Sequence, residues 1–307
     1  MEHSILPTRF ILKTLVAGVC LLLSGCTSLF FQPTHTRYPY LELDRLLTET
    51  VTFTSKDGTA LKAWVFDSVA NQKQYGKTAL VNKKGVALQF HGNAENMTSH
   101  YRFMIWLLFE GWDVITFDYR GYGDSAGSPS SLTGIKNDGI AALQLAEAHA
   151  MKIDKPLVVF GQSLGGNVAI SALAEYQPPH LSLLVLDSSF YSFRSIAREK
   201  LKSVWFLWPL QPLGYVLISN ELGAGPILEA SSPTSPLSKI HALFLHSTHD
   251  PVVSNRQGEM LYASYPGPKL KITTQVPGHV NALNSNDIRL RVAQALESPN
   301  KEFPNNP

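Results

Sequence analysis

At 307 residues the chain exceeds the usual length of one domain, yet α/β folds often reach it as a single unit, so one domain carrying an insertion is expected. Its composition, 44% hydrophobic and 16% charged with a formal net charge of +2, gives no electrostatic reason to bind nucleic acid. No basic run is interleaved with aromatics and no histidine–cysteine spacing suits a metal, so neither nucleic acid nor metal is expected.

The first residues form a separate object. Arg9 and Lys13 precede the apolar stretch Leu15 to Leu23, and the small residues Ser24 and Gly25 follow it, which is the layout of a secretory signal. A membrane-spanning helix needs about 20 apolar residues, and Lys13 blocks any upstream extension of this stretch. Leu23-Ser24-Gly25-Cys26 resembles the lipobox of bacterial lipoproteins. That resemblance implies removal of residues 1–25 and acylation of Cys26 as the first mature residue. Thr27, where some such proteins carry aspartate, resembles the pattern of lipoproteins sent to the outer membrane, so the expected location is the bacterial cell envelope, facing the periplasm. An ordinary secreted protein cut nearby, or an uncleaved anchor, are the alternatives. Only Cys20 and Cys26 occur, and the first lies inside the removable segment, so no disulfide is expected in the mature chain.

Residues 26–47 read as a tether and entry loop, and the fold is expected over 48–298, with a tail at 299–307. Alternating stretches 50–55 and 59–66 around Lys56-Asp57-Gly58 predict an antiparallel hairpin, while the polar residues from Asn71 to Lys84 read as loop. Val86 to Phe90 predicts a strand, Tyr101 to Glu110 has helical spacing, and Trp112 to Phe117 is a further strand. Gly121-x-Gly123-x-x-Ala126 follows it and could pass for a dinucleotide fingerprint. Ser128-Pro129-Ser130-Ser131 prolongs the loop, however, and no strand-ending acid appears about 20 residues on, where Ile140 to Ala150 is helical. No cofactor is therefore expected.

Strand Leu157 to Phe160 leads into Gly161-Gln162-Ser163-Leu164-Gly165 and a helix through Glu175. A strand, a Gly-x-Ser-x-Gly turn and a buried helix are the context of a nucleophile elbow, which makes Ser163 the candidate nucleophile. Leu181 to Leu186 is the next strand, ending at Asp187. Alternation breaks over about 191–239, a Pro-, Gly- and Ser-rich stretch read as a cap or lid. Its Trp205, Phe206 and Trp208 fit an acyl pocket, a membrane-facing lid or a packed helix. Strands 242–246 and 270–273 and helices near 255–263 and 287–296 close the chain. Regular strand–helix alternation predicts an α/β fold with a mostly parallel sheet covered on both faces.

A serine hydroxyl needs a base, and the base needs a group that fixes its tautomer. Asp250 directly follows strand 242–246 and His279 directly follows strand 270–273, in the order acid then histidine after the nucleophile. Asp187 also ends a strand and is the weaker candidate acid. His246 and His249 lie almost beside Asp250 and are expected to shape its loop, and His91 to belong to a turn. The candidate oxyanion donors are the backbone N–H groups of Leu164 and of Asn93, with Gly92 expected to permit a close approach of that loop.

Four motifs in register carry a family resemblance: His91-Gly92-Asn93-Ala94-Glu95-Asn96, Phe117 to Ser125, Gly161 to Gly166, and Asp250 with His279. Over roughly residues 50 to 297 the chain resembles the α/β-hydrolase superfamily, specifically its Bem46-like serine hydrolases. The resemblance implies a Ser–Asp–His hydrolase of esters or thioesters, some relatives being protein depalmitoylases, with a lipid-like or small-molecule acyl substrate. A serine peptidase of the same fold and a non-enzymatic, membrane-tethered binding protein are the alternatives. The aromatic insertion and the leader depart from the family pattern.

Overall fold

The computed structural model describes residues 30–39, 45–46, 48–77, 82–203, 211–212, 218–231 and 234–299. The leader with Cys26 and the Trp205, Phe206 and Trp208 cluster lie outside the described residues.

Eight strands form one sheet: β1 Thr48–Thr54, β2 Ala60–Phe66, β3 Gly85–Phe90, β4 Trp112–Asp118, β5 Leu157–Gln162, β6 Leu181–Asp187, β7 Ala242–Ser247 and β8 Lys269–Thr274. Their spatial order is β8-β7-β6-β5-β3-β4-β2-β1. The five pairings from β8 across to β4 are parallel, and only β4/β2 and β2/β1 are antiparallel. Parallel neighbours need crossovers, and the helices supplying them cover both faces. The main helices are α1 Ser68–Gln74, α2 Leu132–Ile153, α3 Leu164–Glu175, α4 Phe193–Ser203, α5 Ala224–Ala230, α6 Asn255–Ser264 and α7 Asn286–Glu297.

Both faces are buried because the central strands carry apolar residues at odd and even positions alike. In β5, Leu157 and Val159 enter the core beneath α2 and α3, while Val158 and Phe160 enter the second core, beneath α7 and the turns at 97–109. β6 and β7 divide in the same way: Leu184, Leu186 and Phe244 face the first core, and Leu183, Val185 and Leu245 the second. A strand so placed has no polar side, which is why these runs read as continuous apolar stretches.

Two predicted segments differ. The stretch from Asn71, read as loop, begins inside α1, whose first turn is capped by the Asp67 side chain accepting the Ala70 N–H. The helix escapes hydrophobic periodicity because it buries polar groups: Asn71 and Gln72 are both buried, and Gln72 Nε2 donates to the Leu108 carbonyl at 3.0 Å. The segment Tyr101 to Glu110, read as one helix, is broken into short turns at Tyr101–Phe103 and Trp106–Phe109, preceded by another at Met97–His100. Here Met104, Leu107 and Leu108 each bond back three residues, a tighter winding that apolar spacing does not separate from an α-helix. Among the described residues no helix is long and apolar enough to cross a membrane.

Candidate active site

The carboxyl ends of β3, β5, β6, β7 and β8 lie along one edge of the sheet, and their loops bring together residues far apart in sequence. Ser163 sits between β5 and α3 with φ 53° and ψ −117°, a left-handed backbone that costs a non-glycine residue strain. The neighbouring glycines make the turn possible through space. A Cβ on Gly161 would lie 2.5 Å from the Gly166 Cα, and one on Gly165 would lie 2.1 Å from the Phe90 carbonyl oxygen. Gly92 differs from expectation, because a Cβ there would meet only ordinary contacts of 3.5 Å and longer. The loop after β3 reaches the elbow without needing glycine at that position.

Ser163 is largely buried and lines a cavity of about 270 Å³ together with Phe30, Asn93, Leu164, Phe190, Ile196, Ala197, Lys200, Val252 and Val253. No carboxylate lines it among the described residues, and its walls are mostly aliphatic and aromatic. Asn93 and Leu164 both line the same space, and the N–H of neither donates to a protein acceptor among the described residues. Both oxygens of Asn93 are engaged: its Oδ1 accepts the Gln32 N–H at 2.9 Å and its carbonyl accepts the Tyr122 hydroxyl at 2.8 Å.

Asp250 and His279 come from loops after β7 and β8 and meet: His279 Nδ1–H donates to Asp250 Oδ2 at 2.8 Å. The other oxygen, Asp250 Oδ1, accepts the N–H groups of Val252 at 2.8 Å and Val253 at 2.9 Å. Burial pushes the Asp250 pKa up, but the hydrogen bond and charge of His279, with those two amides, outweigh it and hold the carboxyl below its ordinary value. The carboxylate is fully covered, whereas the imidazole keeps an exposed edge. With Nδ1 committed as a donor, Nε2 is left as the acceptor, the tautomer a general base requires. Among the described residues no hydrogen bond joins His279 to Ser163 Oγ; catalytic bonds of this kind often tighten only when substrate is bound.

The loops are cross-fastened. The Ser163 N–H donates to the Asp187 carbonyl at 2.9 Å, and Ser188 Oγ accepts the N–H of Val280, next to His279, at 3.2 Å. Glu95, Ser188 and Val280 join Ser163 in having positive φ, and for β-branched Val280 this is a marked departure. Strain of this kind concentrates at sites whose surroundings over-determine the backbone.

The remaining candidates have other partners. Asp187 makes no hydrogen bond to the His279 ring among the described residues; burial pushes its pKa up to about 6, partly offset by the nearby His279 charge. His246 is buried with Nε2 bonded to the Val253 carbonyl, and His249 pairs with Thr248 and offers its carbonyl to Gly278. His91 is wholly buried, stacked on His100 with ring centroids 5.2 Å apart, beneath the loop that carries Asn93. Sequence reasoning missed Phe30 and Gln32, which it placed in the tether. They reach the site through a two-residue parallel ladder, Gln32–Pro33 with Ala94–Glu95, too short to give any periodic signal.

An eight-stranded, mostly parallel sheet with helices on both faces and a strained serine turn after its fifth strand is an α/β-hydrolase. The family model described as Hydrolase_4, serine aminopeptidase S33, matches residues 81–229. YfhR of Salmonella typhi is 30% identical over 295 residues, covering 92% of both chains. Lysophosphatidylserine lipase ABHD12 of Mus musculus is 29% identical over 219 residues, covering 66% of this chain and 51% of its own. The Pyrococcus furiosus esterase Pf2001 superposes with a TM-score of 0.64 at 19% identity, over 87% of this chain and 97% of that one. The chain belongs to the same family as YfhR, and its α/β-hydrolase fold carries the match to Hydrolase_4 over residues 81–229.

Proposed function

We propose that this α/β-hydrolase cleaves esters or thioesters of apolar acyl groups, with Ser163 as nucleophile, His279 as base and Asp250 as the acid that orients it. The observation that carries the ester reading is the cavity at Ser163, walled by Phe30, Phe190, Ile196, Val252 and Val253. An aminopeptidase must bind a cationic α-amino group, and the described lining offers the cation Lys200 but no carboxylate. Esterase and lipase activities among similar proteins support the same choice.

In this reading His279 Nε2 takes the Ser163 Oγ proton as Oγ attacks the acyl carbon. The oxyanion is stabilised by the N–H groups of Leu164 and Asn93, aided by the N-terminus of α3. His279 then passes its proton to the departing alkoxide or thiolate. A water molecule, deprotonated by Nε2, attacks the acyl-enzyme; the free acid leaves and the Ser163 hydroxyl is restored. Asp250 stays ionised throughout and stabilises the imidazolium.

We further infer from the lipobox-like Leu23 to Cys26 that the protein is held to a bacterial membrane, at the outer membrane's periplasmic face, through acylated Cys26. A panel of p-nitrophenyl esters of increasing chain length, run beside aminoacyl p-nitroanilides, tests the substrate class. The expected result is turnover of the esters at rates far above the anilides. Preferential cleavage of the anilides would favour the peptidase that the family description names.

A further inference from the structure

The segment from Phe30 to Thr36 is fastened to the active-site loops along its whole length. Gln32 N–H donates to Asn93 Oδ1 at 2.9 Å, and the ladder sets Gln32 beside Ala94 and Pro33 beside Glu95. Asn96 Nδ2 donates to the carbonyls of Thr34 at 2.9 Å and Thr36 at 2.8 Å, and the Gly123 N–H donates to the Thr34 carbonyl at 3.0 Å. Phe31 is buried in the main core. Phe30 lines the Ser163 cavity with its ring edge-on to Phe193, the centroids 5.0 Å apart, and Phe193 packs in turn on Phe190.

These contacts fall on the loop that carries the Asn93 amide. A hydrogen bond to the Asn93 side chain fixes how its peptide is turned, and oxyanion donors act only when aimed within a few tenths of an ångström. At about 270 Å³ the cavity is at the small end of ligand sites, so one aromatic ring in its wall decides how much chain enters. We propose that the strap Phe30–Thr36 is a working part of the active site, in which Phe30 sets the length of acyl chain accepted and Gln32, through Asn93 Oδ1, is a positioning residue for the oxyanion donor loop. This rests on the reading of Ser163 as an acyl-transfer nucleophile and adds to it a limit on the acyl chain.

The test is the chain-length profile of p-nitrophenyl esters from acetate to dodecanoate for the full-length protein and for Phe30→Ala, Phe30→Trp and Asn93→Ala, each checked for folding by thermal unfolding. Phe30→Ala is expected to move the preferred chain to longer esters and Phe30→Trp to shorter ones, changing the long-to-short ratio of kcat/KM by about tenfold in opposite directions. Asn93→Ala keeps the amide but removes the acceptor for Gln32. It is expected to lower kcat about tenfold with little change in KM, less than the 10²–10³ of losing a donor outright. Folded Phe30 variants with the parental profile would overturn the specificity role, and parental kcat in Asn93→Ala would overturn the positioning role. Failure of the underlying reading looks different: the wild type would be inactive on every ester, or Ser163→Ala as active as the parent.

Discussion

Replacing Asp187 by asparagine separates the two carboxyl groups near His279. Asp187 is wholly buried, and burial, its largest influence, raises its pKa from 3.8 to about 6. Because the folded pKa lies above the unfolded one, the unfolded chain binds fewer protons between these values, so this group's contribution to stability falls as pH rises from about 4 to about 6 and is flat above. The rise from 3.8 to about 6 corresponds to a penalty of about 3 kcal/mol at pH 7.5. Asparagine copies the neutral acid and can still accept the Ser188 hydroxyl, which bonds Asp187 Oδ1 at 3.2 Å. Urea unfolding should therefore show Asp187→Asn more stable than the parent at pH 7.5, with a midpoint higher by about 1 M for an m-value near 3 kcal/mol per M. The gain should vanish near pH 4. Ester hydrolysis should survive, since no hydrogen bond joins Asp187 to the imidazole among the described residues. A variant no more stable at pH 7.5 would refute the electrostatic argument, and a loss of activity as deep as that of Asp250→Asn would refute the assignment of the acid.

Asp250→Asn should lower kcat by about 10⁴, because the amide presents a donor where Nδ1–H needs an acceptor and so favours the wrong tautomer; ester turnover measures it, with thermal unfolding to confirm that the variant is folded at the assay temperature. Gly165→Ala should destabilise the fold by about 1–3 kcal/mol and depress turnover, since the new methyl would overlap the Phe90 carbonyl; thermal unfolding beside kcat reads both. Cys26→Ser should leave hydrolysis of a short soluble ester unchanged while moving the protein from the membrane pellet to the soluble fraction. Retention in the pellet would contradict the lipid anchor.

The sequence was most legible where each residue answers to one local constraint. The central strands show as apolar runs because both faces of the sheet are buried, and the serine turn shows because its glycines are demanded by contact with Phe90 and Gly166. Asp250 and His279 could be chosen by chain order and strand ends, and the 2.8 Å bond between them follows from the parallel register of β7 and β8. What stayed hidden depends on distant partners. Helix α1 buries asparagine and glutamine that look solvated in sequence, and the strap at 30–36 owes its place to hydrogen bonds with residues some sixty positions away. Gly92 shows the opposite error: a glycine assigned a spatial role that its surroundings do not require.

The central claim is that Ser163 is an activated nucleophile. A fluorophosphonate probe reacts covalently with such a serine and requires both its base and its oxyanion donors, so labelling reads the assembled site independently of the physiological substrate. The account predicts rapid labelling of the wild-type protein, loss of labelling in Ser163→Ala, and much slower labelling in Asp250→Asn. A folded wild-type protein that resists the probe, or a Ser163→Ala variant that is labelled as fast as the parent, would contradict it.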